Sequence, residues 1–108
     1  MTSIPLGRVT VAVAGTPVAL LSAMTAAQKA ALAPNQQCYK IEVFPDPAST
    51  GKVYVKQAGV TLAALPVPVN SVPLPWTAEA DRNNINITAY SLDAATGGDG
   101  AFCTVWVR

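Results

Sequence analysis

Period-two alternation is the feature that most constrains this chain. In IEVFPDPASTGKVYVKQAG, residues 41–59, two alternating arms flank a turn rich in breakers. Tyr39, Ile41 and Val43 share one face, and Lys40 and Glu42 share the other. Beyond the turn, Val53 and Val55 face one way while Lys52, Tyr54 and Lys56 face the other. Successive side chains point to opposite sides only in a strand. A one-residue slip would invert every position, so the pattern fixes which face is buried. The spacing predicts an antiparallel hairpin with one covered face. PDPASTG is its turn, because its two prolines cannot sit in a central strand.

The same period recurs along the chain. Arg8–Ala14 places Val9, Val11 and Val13 on one face, AGTP turns, and Val18–Leu21 is a short second strand. Ile85, Ile87 and Ala89 alternate with Asn86, Thr88 and Tyr90. The last strand, AFCTVWVR, is apolar on both sides: Ala101, Cys103, Val105 and Val107 on one, Phe102 and Trp106 on the other. Such a strand is central in a sandwich or packed against another chain. Residues 22–33, SAMTAAQKAALA, break the pattern: they predict a short helix capped by Ser22 or Thr25 and stopped by Pro34. TAEADRNN reads as a solvated loop and SLDAATGGDG as a glycine-rich one. The sum is an all-β fold, an antiparallel β-sandwich of jelly-roll or Greek-key type. It has about seven to eight strands and one short helix. Residues 1–7 read as an N-terminal arm and 8–108 as a single β-sandwich domain.

Charge is scarce. Of 108 residues, 12% are charged, against about 25% in an ordinary soluble domain. A monomer of this size exposes roughly 5,700 Å², so about half the usual charge density clothes it. Part of the surface is therefore either polar and uncharged or covered by other chains. The net charge is +1 and the basic residues are scattered, which gives no field for nucleic acid or an anionic membrane. Residues 9–27 are uncharged, but Gly15-Thr16-Pro17 interrupts the run. They read as strand and turn rather than a leader or a spanning helix.

The chain has no histidine, which removes the commonest general base and the Ser-His and Cys-His nucleophile systems. STGK at 49–52 matches the form S-x-x-K but lies in a turn rather than at a helix start. Asp93 and Asp99 in the glycine-rich loop offer oxygen ligands without the acid spacing of a calcium loop. Cys38 and Cys103 have no metal spacing and read as buried free thiols. Asn86-Ile87-Thr88 is a formal glycosylation sequon on an outward face. No catalytic residue, metal or cofactor is expected, and the chain does not read as an enzyme.

Binding is left. Residues 57–75, QAGVTLAALPVPVNSVPLP, are uncharged and carry four prolines, which suits an extended edge. Leu65, Pro66, Val67, Pro68 and Val69 there, with Trp76, Phe102 and Trp106, are the interface candidates. In a second reading, Tyr54, Tyr90 or Trp76 beside Asn86 and Asp93 forms a platform for a carbohydrate.

The order of parts also resembles a known family. AGTPVAL follows a first strand; then come CYKIEVFPDPASTGKVYV, the proline-rich stretch, NNINITAY and a closing strand. ASTGKVYV carries most of the likeness. This resembles small virion proteins of tailed bacteriophages, of the capsid decoration or cement type. The resemblance implies a homo-oligomeric, often trimeric, β-rich subunit. It would bind the major capsid protein and copies of itself, without nucleic acid or membrane. Its place would be the phage particle, after synthesis in the host bacterial cytoplasm. The alternative within the same likeness is a tail or fibre accessory domain binding a host-surface carbohydrate. The alanine-rich segment 22–33 departs from the pattern.

Overall fold

A computed structural model describes residues 2–57 and 76–108. It is mostly β, and every paired strand is antiparallel. The described strands are β1 (Thr2–Thr10), β2 (Val18–Ala19), β3 (Gln37–Cys38), β4 (Lys40–Pro45), β5 (Val53–Gln57), β6 (Trp76–Glu79), β7 (Ile85–Asn86), β8 (Tyr90–Ala94) and β9 (Gly100–Val107). A four-stranded sheet runs β1-β9-β4-β6 and a three-stranded sheet runs β2-β8-β5. A small ribbon pairs β3 with β7.

The apolar halves of both larger sheets meet in one core. Ile4, Val9, Ile41, Val43, Ala101, Cys103 and Val105 come from the four-stranded sheet. Val53, Val55, Leu92 and Ala94 come from the three-stranded one. Leu20, Met24, Cys38 and Ile87 belong to the same cluster. Each fully buried valine, leucine or isoleucine contributes about 1.5–3 kcal/mol. The predicted faces of 39–43, 53–55 and 101–107 are therefore the observed ones.

The predicted hairpin is not formed. β4 pairs with β6 and β9, whereas β5 pairs with β8, so the two arms of 41–59 lie in different sheets. Alternation dictates the inward face of each arm but not its neighbour. The connection 46–52 acts as a strap between sheets. Asp46 Oδ1 accepts the Ala48 N–H at 2.9 Å, which turns the chain after Pro45. Ser49 Oγ donates to the Gly100 carbonyl at 3.1 Å. The Asp99 carboxylate accepts the N–H groups of Thr50 at 3.0 Å and Gly51 at 2.7 Å.

Other expectations are corrected in detail. Residues 2–7, read as an arm, belong to β1, which pairs with β9 from Thr2↔Val107 onward. A bulge lies between Pro5 and Gly7, where Gly7 takes φ +73°, as such irregularities favour. It moves the buried set from Ile4 to Val9. Pro5, lacking an N–H, is tolerated because β1 is an edge strand. Past Thr10 the chain bends, so Val11 is buried while Val13 is 62% exposed.

The helix expected over 22–33 contracts to a 3-10 turn, Leu21–Ala23, and α1 (Ala26–Ala30). Thr25 caps α1 in a reciprocal box with Gln28, and Gln28 Nε2 also donates to the Pro5 carbonyl at 2.7 Å. So short a helix depends on that tie. Ile87–Ala89, expected as strand, is a 3-10 turn capped by the Asn86 side chain. Trp76–Glu79, partly expected as loop, is strand β6, paired with β4.

Candidate contact surface: the outer face of the four-stranded sheet

Register places the outward residues of this sheet in rows. Arg8, Phe102 and Phe44 form one row across β1, β9 and β4. Pro5, Thr104, Glu42 and Thr77 form the next; Ser3, Trp106, Lys40 and Glu79 form a third. Directly opposed side chains share a face at about 5 Å between Cβ atoms. Phe44 and Phe102 are such a pair, 43% and 45% exposed. Two large aromatic rings are thus held side by side toward the outside on the middle strands of the sheet.

The charges around them are matched. Arg8 Nε donates to Asp46 Oδ2 at 2.6 Å, and Arg8 also bonds Thr10 Oγ1 and the Gly98 carbonyl. The Arg8 guanidinium, helped by the Ala48 N–H, holds the Asp46 carboxyl below the usual carboxylate range. Two rows away, Trp106 Nε1 donates to Glu42 Oε1 at 2.9 Å. Lys40 Nζ lies 3.5 Å from Glu42, 3.6 Å from Glu79 and 6.0 Å from the Trp106 ring centre. Arg8 and Lys40 face Glu42, Asp46 and Glu79, a net of −1. Since each ion has a partner, a neighbour can cover this face without stranding a charge.

The edge toward the strap is fixed by Asp99, 5% exposed. The N–H groups of Thr50 and Gly51 hold its carboxyl below the ordinary range. Asp93, 1% exposed, accepts from the N–H groups of Gly15 and Ala94. Both carboxylates thus serve the main chain, which removes Asp93 from the carbohydrate platform. In that platform, Tyr54 and Tyr90 are half-buried, and Tyr90 packs against the core. Among the described residues no three of Cys, Asp and Glu are grouped to hold a metal ion. Nor is any described helix long and apolar enough to cross a membrane. Cys38 and Cys103 are buried and unbridged. Burial pushes their thiols up to about 11 and about 12.

The chain matches no family model, no curated protein and no solved structure.

Of the interface candidates, Phe102 and Trp106 lie on this outer face, with Trp106 half-buried. The Trp76 backbone pairs with Val43 in β6. Leu65, Pro66, Val67, Pro68 and Val69 lie outside the described residues. The sequence reading missed Phe44 and Val13. Phe44 carried a signal: it continues the Lys40–Glu42 face by one more step of two. Val13 carried none, because its alternation with Val9 and Val11 predicts the opposite side.

Proposed function

We propose that this chain is a virion structural subunit of the capsid decoration or cement type, built as an antiparallel β-sandwich of jelly-roll or Greek-key kind. It binds the major capsid protein and copies of itself on the phage particle. It works by contact rather than by catalysis. The observation that carries this reading is the Phe44–Phe102 pair, exposed on a sheet face whose ions are already matched. Large aromatics in desolvated patches dominate many interfaces, and paired ions around them lower the cost of covering the patch. Weak contacts of this kind, repeated around a shell, add through multivalency.

The test uses purified phage heads that lack the protein. Added chain should co-sediment with the heads and raise the temperature at which they release DNA. The Phe44→Ser/Phe102→Ser double variant should do neither at the same concentration. Heads that gain no bound chain and no heat resistance from the unaltered protein would end the proposal.

A further inference from the structure

β1 is nine residues long, lies at the edge of the four-stranded sheet, and is paired on one side only among the described strands. A free edge of that length is a template for another chain. The bonds of its neighbours show which main-chain groups it presents. The Pro5 carbonyl accepts from Gln28 Nε2 at 2.7 Å, so it points away from β9. Outward groups recur every second residue of an antiparallel ladder, so the Ser3 N–H and C=O point the same way. Trp106, opposite Ser3, agrees: its carbonyl accepts the Tyr39 N–H at 3.0 Å on the β4 side. Beyond the bulge, the Gly100 N–H donates to Ser49 Oγ, which in turn donates to the Gly100 carbonyl. Thr10, opposite Gly100, and Arg8, two residues earlier, therefore face the free side as well.

This edge is interrupted at its middle. Pro5 has no N–H to offer, and its carbonyl is taken. The bulge makes the step from Pro5 to Arg8 three residues instead of two, so no straight partner stays in register across it. Past it stands Arg8, a charged side chain of the kind that discourages edge pairing. The compact way for two copies to pair is antiparallel about Ile4, with Ser3 of each opposite position 5 of the other. Every hydrogen bond of that ring uses the N–H or the C=O of position 5. Proline removes the donors, and Gln28 occupies the acceptors.

We propose that Pro5 and Gln28 together form a guard that keeps the β1 edge of one copy from adding the β1 strand of another. α1 holds the guard in place, because the same Gln28 side chain accepts the Thr25 N–H and donates to Pro5. The four-stranded sheet is thereby kept from growing edge to edge through β1. This goes beyond the function proposed above and does not depend on binding to heads.

Sedimentation equilibrium tests it on the full chain carrying Phe44→Ser/Phe102→Ser, so that contact through that face is not counted. In that background Pro5→Val restores the donor and Gln28→Ala frees the acceptor. The two together should give a concentration-dependent dimer. Its association should be at least about tenfold tighter than with either change alone, since each single change still forfeits half of the ring. Adding Ser3→Pro should return the dimer to monomer without loss of fold, because the Ser3 N–H serves only the free edge. If circular dichroism shows the Gln28→Ala chain misfolded, Gln28→Glu replaces it, since a carboxylate keeps the Thr25 cap without donating to Pro5. A folded double variant that stays monomeric at about millimolar concentration would overturn the proposal. So would a background chain that associates as strongly with Pro5 and Gln28 in place, or a dimer that Ser3→Pro leaves intact. Failure of both Gln28 variants to fold would overturn it too, by making the pair a requirement of folding rather than a guard.

Discussion

Asp99 and Asp46 hold the strap between the two sheets through their ionised forms. For Asp99 the Thr50 and Gly51 N–H groups favour the charged state, and for Asp46 the Arg8 guanidinium does. A carboxyl whose folded pKa is depressed contributes stability that is present above the unfolded value, about 4, and lost as pH falls through the folded one. Urea midpoints should therefore drop as pH falls from 5 to 2, through the ordinary carboxylate range and below it. Asp99→Asn should be less stable at pH 7 and show a flatter acid profile; an unchanged profile would remove Asp99 from this role. The thiols behave in the opposite sense. Their folded pKa values are raised by burial, to about 11 for Cys38 and about 12 for Cys103. Their contribution is complete below the unfolded value of about 8.5 and is lost as pH rises through the folded values. At pH 8 neither should react with a thiol reagent until denaturant is added; rapid native labelling would contradict that. Gly100 is a third sensitive position. A Cβ there would collide with the Val9 carbonyl oxygen. Gly100→Ala should cost about 1–3 kcal/mol in a denaturant titration, as overpacking does.

Among the elements, α1 is the most conditional, since five residues cannot form a stable helix alone. Gln28 completes its cap and reaches Pro5 on β1. Gln28→Ala should lower stability by about 1 kcal/mol. Gln28→Glu should recover part of that, since a carboxylate can still accept from Thr25 N–H but cannot donate to Pro5. Equal losses in the two variants would show that only the strand tie counts. The elements also show how far the sequence could be read. Which side of β4, β5 and β9 is buried was legible, because Ile41, Val43, Val53, Val55, Cys103 and Val105 obey period two; the bulge in β1 and the 3-10 turn at Ile87–Ala89 were not. Which strands are neighbours was not. Alternation is a property of one strand, while pairing depends on how loops close, so the arms around Pro45–Lys52 looked like a hairpin and are not one. The helix shrank because alanine propensity is cheap to override near Pro34. On the outer face, Phe102 and Trp106 were legible from a strand apolar on both sides. Phe44 was legible in the same way, one step of two beyond Glu42, although Pro45 and the turn follow it at once.

At the scale of the molecule, the outer face of the four-stranded sheet is separable from the core. Phe44→Ser/Phe102→Ser should leave the thermal midpoint nearly unchanged, since an exposed cross-strand pair contributes about 0.2–1 kcal/mol. A loss of several kcal/mol would mean that the rings are needed for folding rather than contact. The layout of the sheets reaches further, into how the chain is made. β9 lies between β1 and β4, and nearly all its partners precede it by dozens of residues. On a ribosome, β1 and β4 emerge first and wait for the strand that joins them, so the four-stranded sheet cannot zip up from a local pair. Folding should be slow for so small a chain, in the millisecond-to-second range of non-local β topologies. Until β9 arrives, unpaired edges are open to other nascent copies.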